Sequence, residues 1–211
     1  MKTALIIGGT GLIGKQLTQL LLADKRYSKI VLLLRRQLDM VHDKLIQVVF
    51  DFDNPDSSLV VADEIYCCLG TTIKVAGSKA AFYKVDHDYV INTAKAGFLN
   101  GVKKFALVSS MGANKGSTIF YNKTKGETEE DARSIGFESL YIFRPSLLLG
   151  NRTEFRLGES IGKFLMVPLA FLMPKKYKPI QASQVAHAMV TAMNKAEAGI
   201  HIFESDSIET L

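Results

Sequence analysis

Short apolar runs alternate with longer amphipathic stretches along most of the chain, and this alternation predicts strands separated by helices. Most of the apolar runs are continuous, as expected for strands that are buried on both faces of a parallel sheet. The predicted strands are residues 3–7, 29–34, 45–50, 64–69, 104–109 and 139–143, with 199–203 as a candidate last strand. The predicted fold class is therefore α/β, with a doubly wound parallel sheet.

Helical periodicity is strongest in residues 11–23, 80–100, 119–135 and 183–195. No helix is predicted between the third and fourth strands, because Asp53, Asn54 and Pro55 are typical turn residues. Glycine and proline interrupt residues 151–182, and we expect this irregular segment to cover the carboxyl ends of the strands, where ligands bind. We expect residues 1–211 to form one domain, because the chain is long enough for a single substantial core.

Three glycines at three-residue spacing directly follow the first strand. Gly8, Gly11 and Gly14 lie between that strand and the amphipathic stretch of the first helix. Such a turn lets a pyrophosphate approach the backbone, and the helix N-terminus offers it free N–H groups. In this context the motif predicts a Rossmann-like dinucleotide site. The other contacts predicted for this turn are Thr10, Leu12 and Ile13.

Two arginines follow the second strand, where the ribose of a bound nucleotide is expected. Arg35 and Arg36 lie 21 and 22 residues after Gly14. An acidic residue there would bind the 2′-hydroxyl of NAD, whereas a guanidinium forms paired hydrogen bonds with a 2′-phosphate. We therefore expect NADP to be favoured over NAD. The alternative interpretation is that both arginines are surface charges at a strand end.

Further contacts with the nucleotide are expected where the third and fourth strands end. Asp51 follows the third strand and is placed to meet the adenine, although acidic residues are common in loops. After the fourth strand a glycine allows a close backbone approach and two threonines offer hydroxyls, unless this is an ordinary turn. These residues are Leu69, Gly70, Thr71 and Thr72.

A tyrosine and a lysine, four residues apart in the third predicted helix, share one face of that helix. Because an ammonium stabilises a nearby phenolate, Tyr121 and Lys125 suit proton transfer, and Lys125 would also hold the nicotinamide ribose. Ser109 precedes Tyr121 by 12 residues, at the end of the fifth strand, and would bind the substrate oxygen. Ser109 and Ser110 remain alternatives, since adjacent strand residues point to opposite faces.

Composition and charge narrow the class of protein. The formal net charge is +5, but the basic residues are scattered, so nucleic-acid binding is not expected. Cys67 and Cys68 are adjacent in a strand and point to opposite faces, which favours a reduced, cytoplasmic protein. No signal peptide or membrane span is predicted, and the four histidines lie too far apart to predict a metal site.

Two clusters with acidic residues have the composition of solvated faces. They are residues 86–88, with the sequence Asp-His-Asp, and residues 128–131, with the sequence Thr-Glu-Glu-Asp. We expect both clusters to be exposed.

The glycine turn together with Ser109, Tyr121 and Lys125 resembles the short-chain dehydrogenase/reductase superfamily, in its atypical single-domain group. Several further segments are similar to the HIV Tat-interactive protein family and its bacterial relatives. They are residues 67–72 (CCLGTT), 85–90 (VDHDYV), 109–113 (SSMGA), 125–127 (KGE) and 143–145 (FRP). The resemblance extends from about residue 3 to residue 195.

The resemblance implies that NADPH is bound by the glycine turn and Arg35, with catalysis by Ser109, Tyr121 and Lys125. It also implies contact between the cofactor and the loop of Arg144, Pro145 and Ser146. An asparagine of classical relatives has no clear counterpart here, and the candidates are Asn92 and Asp86.

Two functions remain open at this point. The first is an NADP-dependent oxidoreductase that acts on a carbonyl or a secondary alcohol. The second is an NADPH-binding regulatory or scaffold protein with little or no turnover. A protein partner or a homodimer fits either function.

Overall fold

The computed structural model describes residues 1–150, 174–195 and 197–211. Seven strands pair in parallel in the order β3-β2-β1-β4-β5-β6-β9, and the two shortest, β7 and β8, pair separately. This is the predicted doubly wound sheet, and the candidate last strand is confirmed as β9. The strands are β1 (Lys2–Ile7), β2 (Tyr27–Leu34), β3 (Leu45–Val49), β4 (Glu64–Cys67), β5 (Lys104–Val108), β6 (Ser139–Arg144), β7 (Leu148–Leu149), β8 (Ile180–Gln181) and β9 (Gly199–Glu204).

The long helices follow the predicted stretches, whereas the two four-residue helices, α2 and α7, were not predicted. The helix predicted over residues 80–100 is divided, because a π-helical turn, Lys84–Asp88, separates α3 from α4. Between β3 and β4 the structure has only the 3₁₀ turn Ser57–Leu59, which confirms the predicted lack of an α-helix. The α-helices are α1 (Leu12–Ala23), α2 (Ile73–Ala76), α3 (Lys79–Tyr83), α4 (Tyr89–Leu99), α5 (Phe120–Ile135), α6 (Ala182–Met193) and α7 (Ser205–Ile208).

Two apolar layers cover the sheet, one on each face. Alternate side chains of each strand enter alternate layers, so that Ile6 packs towards α1 and α6 while Ile7 packs towards α4 and α5. Cys67 and Cys68 likewise enter opposite layers, and both are free thiols as predicted. Burial raises the pKa of the Cys67 thiol to about 12, so this thiol stays protonated at neutral pH.

A buried carboxylate joins the amino ends of the central strands. Glu64, only 1% exposed, accepts hydrogen bonds from the hydroxyls of Tyr27 (2.8 Å) and Tyr66 (3.0 Å), and the ammonium of Lys2 pairs with its other oxygen. Burial and the neighbouring Glu64 charge raise the pKa of Tyr66 well above its usual value. Because both carboxylate oxygens have partners, the cost of burying this charge is offset locally.

Most of the predicted covering segment, residues 151–182, lies outside the described residues. Its described end contains the 3₁₀ turn Lys175–Tyr177 and β8, and it leads directly into α6. In the part of the chain that the structure describes, no helix combines the length and the apolar character needed to cross a bilayer.

Candidate active site

The carboxyl ends of β1 and β4 lie side by side at the centre of the sheet, where the strand order reverses. The chain adds β2 and β3 on one side of β1, and it adds β4, β5 and β6 on the other. A reversal of this kind opens a crevice at the carboxyl edge, where open α/β sheets bind their ligands. The glycine turn follows β1 and residues 68–72 follow β4, so both predicted cofactor segments border the crevice.

The glycine turn is too tightly packed for side chains at two of its positions. Gly8 has a φ of +78°, and a Cβ atom there would lie 2.4 Å from the carbonyl carbon of Cys68. A Cβ atom on Gly14 would lie 2.2 Å from the carbonyl oxygen of Gly8. At Gly11, which is exposed, the same atom would lie 3.3 Å from that oxygen, so the space beside Gly11 is open towards solvent. Gly8 and Gly14 therefore shape the turn, and Gly11 leaves room for a ligand.

The N-terminus of α1 provides unsatisfied N–H groups beside Gly11. No side chain caps this helix, and its first turn contains no acidic residue. The N–H groups of a first helical turn have no partner within the helix, and together with the helix dipole they attract an anion. The exposed backbone at Thr10 and Gly11 leaves the path to them open. This cradle fits the pyrophosphate of a dinucleotide.

The residues predicted to contact the adenosine lie at the expected strand ends, and their surroundings differ. Arg35 and Arg36 are both exposed directly after β2. The carboxylate of Asp51 accepts hydrogen bonds from the backbone N–H of Asp53 (2.8 Å) and the side chain of Asn54 (3.3 Å), and the first of these lowers its pKa most. The carboxylate of Asp51 thus stabilises a local turn, and its contact with the adenine stays a prediction.

The segment after β4 is fixed by neighbouring helices. The backbone N–H of Thr71 donates to Asp86 Oδ2 (2.8 Å), and the hydroxyl of Thr72 caps α2 by accepting from Val75 N (3.2 Å). Leu69 is half-buried and Gly70 is exposed. The hydroxyl oxygen of Thr72, which was predicted to contact the nucleotide, therefore accepts a helix-capping hydrogen bond. Gly70 is exposed, so its backbone is accessible to a ligand.

Tyr121 and Lys125 lie one turn apart on α5, as predicted, and a third residue completes the group. The Lys125 ammonium lies 2.7 Å from Asp86 Oδ1, and the two side chains are 7% and 0% exposed. The ring of Tyr121 packs against Phe82, with the centroids 5.4 Å apart. Asp86 belongs to the π-helical turn, so this turn places a carboxylate directly against α5.

The charge on Lys125 depends on its neighbours. Burial by itself lowers the pKa of the Lys125 ammonium, but the carboxylate of Asp86 and the phenol of Tyr121 raise it above its usual value. Lys125 therefore remains protonated at neutral pH although it is buried. This fixed positive charge lies on the same face of α5 as Tyr121.

The two candidate serines have different surroundings. Ser109 Oγ donates a hydrogen bond to Glu129 Oε1 (2.6 Å), and the guanidinium of Arg144 binds the same carboxylate. Ser110 Oγ is buried and has no hydrogen-bond partner among the described residues. The Ser109 proton is therefore donated to Glu129 in this structure, and the role of Ser109 towards a substrate stays a prediction.

The loop after β6 is also tied to the protein interior. Arg144 Nε lies 2.9 Å from Glu129 Oε1, and burial of the carboxylate makes this a strong pair. Ser146 N donates to Ser205 Oγ (2.8 Å), its hydroxyl donates to the carbonyl of Lys178, and the carbonyl of Pro145 accepts from Met111 N (3.0 Å). The polar groups of Arg144, Pro145 and Ser146 thus bind neighbouring elements, and the cofactor contacts expected of this loop stay a prediction.

A family model described as NAD(P)H-binding matches residues 8–196. This range includes the glycine turn, the π-helical turn and α5. The chain belongs to the NAD(P)H-binding family. It is also 37% identical over 168 residues to Protein HTATIP2 of Rattus norvegicus, a match that covers 77% of this chain and 69% of that protein. The resemblance to the HIV Tat-interactive protein family is thereby confirmed.

A second relative, Protein FMP52 of Candida glabrata, is 33% identical over 205 residues, covering 93% of this chain and 87% of that protein. The NAD(P)H-binding fold is similar to a solved UDP-N-acetylglucosamine 4-epimerase from Methanobrevibacter ruminantium, with a TM-score of 0.73 over 96% of this chain and 76% of that chain. Because the epimerase is only 16% identical to this chain, this similarity concerns the fold alone. The protein thus binds a nicotinamide dinucleotide on an oxidoreductase-like fold.

The expected cytoplasmic location is contradicted by this family. FMP52 of Candida glabrata is named mitochondrial, and so are FMP52 proteins of other fungi that match 93% or more of this chain. The expectation rested on reduced cysteines and the start of the sequence, and neither feature distinguishes one reducing compartment from another.

Two buried carboxylates of this NAD(P)H-binding site were expected to be exposed. Asp86 is 0% exposed and Glu129 is 2% exposed, because each is paired with a cation from another element. For Glu129 the sequence contains a signal, since it follows Tyr121 and Lys125 at four-residue spacing and so shares their helix face. For Asp86 the sequence contains no such signal, because its partner, Lys125, belongs to another helix.

The glycine turn yields a test that separates binding from folding. Gly11→Ala should lower the melting temperature only slightly, because φ at this position is −74° and the nearest atom, Gly8 O at 3.3 Å, needs to move by only a few tenths of an ångström. It should nevertheless weaken dinucleotide binding at least about tenfold. Gly14→Ala, the matched control, should destabilise the fold itself because its methyl would overlap Gly8 O. Calorimetric titration and thermal unfolding measure the two effects. Normal binding by Gly11→Ala would contradict the assignment of the cradle.

The buried ion pair yields a second test. Asp86→Asn should lower the free energy of unfolding by about 3 kcal/mol, because it leaves the Lys125 ammonium buried without a counter-charge. Lys125→Met in the same background should recover part of that loss, since it removes the unpaired charge. Urea unfolding at pH 7 measures both changes. Identical stabilities of Asp86→Asn and the double variant would show that the ion pair is not what Asp86 contributes.

Proposed function

We propose that the protein is an NADP-dependent oxidoreductase that transfers a hydride between NADPH and a carbonyl or secondary alcohol. The observation that carries this proposal is the buried pairing of Lys125 with Asp86 beside Tyr121. A lysine that is held protonated on the same helix face as a tyrosine can stabilise the negative charge left when the tyrosine hydroxyl gives its proton to a substrate. Burying a charge is costly, and in this proposal the paired ammonium serves Tyr121 in addition to holding α5 in place.

The cofactor supplies or accepts the hydride when it is bound. The N-terminus of α1 and the open space beside Gly11 would hold its pyrophosphate. The exposed guanidiniums of Arg35 and Arg36 would bind its 2′-phosphate, because both follow β2 directly and no carboxylate occupies that position. These contacts support NADP over NAD.

The proton in this proposal comes from Tyr121. As negative charge develops on the substrate oxygen during reduction, the Tyr121 hydroxyl donates its proton to that oxygen, and Lys125 stabilises the phenolate that remains. In the oxidation of an alcohol the same phenolate removes the proton. Lys125 stays charged in both directions, since Asp86 is its fixed partner.

Ser110 is the serine that we place against the substrate oxygen. Its hydroxyl is buried without a partner among the described residues, so its proton is available to a ligand. Ser109, the alternative, donates to Glu129 and thereby helps to hold Arg144 against α5. In this arrangement Ser109 supports the site and Ser110 orients the substrate.

Cofactor preference is tested by removing one guanidinium. Arg35→Ala should raise the Kd for NADPH about tenfold and change the Kd for NADH by less than about twofold, because only NADPH carries a 2′-phosphate. Fluorescence titration of both cofactors measures the ratio. Arg26→Ala, which removes an arginine paired with Asp24 near the other end of β2, is the control and should leave both values unchanged. Equal weakening of both cofactors by Arg35→Ala would count against NADP preference.

Catalysis is tested on a panel of aldehydes, ketones and quinones with NADPH oxidation followed by absorbance. Tyr121→Phe should keep NADPH binding but lower kcat by about 10² to 10⁴, because it removes the proton donor. Ser110→Ala should also lower kcat, whereas Ser109→Ala should reduce stability more than kcat. Wild-type protein that binds NADPH tightly but turns over no compound would contradict the enzyme and favour a regulatory or scaffold protein.

A further inference from the structure

One side chain of β3 is hydrogen-bonded to the loop that carries the two arginines. The amide oxygen of Gln47 accepts from the backbone N–H of Leu38 (2.7 Å). Its amide nitrogen donates to the carbonyl of Leu38 (3.1 Å) and to the carbonyl of Met40 (2.8 Å). One primary amide thus satisfies three backbone groups and uses both its donor and acceptor ends.

These contacts attach the first part of the loop that connects β2 with β3. In residues 35–41, within the described part of the chain, the hydrogen bonds to other segments are the three made by Gln47. Nearer to β3, Lys44 Nζ donates to the carbonyl of Asp24 (2.9 Å), and the carbonyl of Lys44 accepts from Ile30 N (2.8 Å). Leu38 and Met40 add apolar contacts with the layer around α1. Without the amide, three backbone groups of residues 35–41 would need other partners, and this part of the loop would be held only by its apolar contacts and its two ends.

The position of Gln47 connects this loop to the glycine turn. Gln47 is paired with Leu32 in the register of β2 and β3, and Leu32 packs in the layer around α1. A Cβ atom on Gly9 would lie 3.1 Å from Leu32 Cδ2, so Leu32 lies directly beside the turn. The amide therefore fixes the loop on the side of the sheet where the nucleotide cradle lies.

We propose that Gln47 is a positioning residue that determines cofactor specificity, by holding the loop so that Arg35 and Arg36 face the 2′-phosphate. This inference rests on the proposed preference for NADP. Gln47 itself does not touch the nucleotide in this scheme, and it acts only through the two arginines. A strand position next to Leu32 favours an apolar side chain, so a polar amide at residue 47 indicates that its hydrogen bonds matter.

The test uses Gln47→Met, which keeps the length of the side chain and removes its hydrogen-bonding groups. The Kd for NADPH should rise about five- to tenfold while the Kd for NADH changes by less than about twofold, because only the 2′-phosphate contact is misplaced. Titrations with 2′,5′-ADP and 5′-AMP should show the same difference without any turnover. Gln47→Asn, whose amide is one methylene too short to reach these partners, should change the two Kd values in the same way. It serves as the test if Gln47→Met does not fold.

A variant that lacks both guanidiniums shows whether Gln47 acts through them. When Arg35 and Arg36 are both alanine, adding Gln47→Met should weaken NADPH no further, since the effects of coupled residues are not additive. Equal weakening of NADPH and NADH by Gln47→Met would overturn the inference, because it would indicate general loosening of the site.

The outcomes also separate this inference from the proposed function. If Arg35→Ala changes the ratio of the two Kd values and Gln47→Met does not, the positioning role is wrong and NADP preference stands. If neither variant changes the ratio, NADP preference itself is wrong and the positioning role falls with it.

Discussion

The candidate site depends on one buried pair of opposite charges, Asp86 and Lys125. The aspartate also accepts the N–H of Thr71, and its own carbonyl accepts the hydroxyl of Thr128, so it joins the loop after β4, the π-helical turn and α5. Asp86 is fully buried and Lys125 nearly so, and removing one charge leaves the other without compensation. The pair therefore fixes the orientation of the helix that carries Tyr121 relative to the edge of the sheet.

Charged groups inside this protein are concentrated at the two ends of the strands, and the apolar layers lie between them. Glu64 joins the amino ends through two tyrosines and Lys2, whereas Asp86 and Glu129 hold the carboxyl ends. Apolar packing is non-directional, so it stabilises the layers without defining the angle of any one polar side chain. Hydrogen-bonded carboxylates supply that direction, which is why the geometry of the site follows from them.

Local patterns predicted most of the fold and the framework of the site. The continuous apolar strands predicted the parallel sheet, and the glycine spacing and the pair Tyr121 and Lys125 were visible because each depends on a few neighbouring residues. Burial of Asp86 and Glu129 was missed because acidic residues are usually exposed, and their partners are supplied by other elements. The hydrogen-bond partners of Asp51 and Ser109 were not predicted either, because the partner of a polar side chain depends on tertiary structure.

The π-helical turn Lys84–Asp88 has a consequence for how this segment can vary among relatives. A π-helical turn holds one residue more than an α-helical turn, and each residue of a helix advances the side-chain direction by about 100°. Deleting one residue between Asp86 and α4 would restore a regular helix and swing the carboxylate away from α5. An insertion or deletion here should therefore be tolerated less well than one in a loop, because it turns the Asp86 carboxylate away from Lys125 even when every other residue is kept.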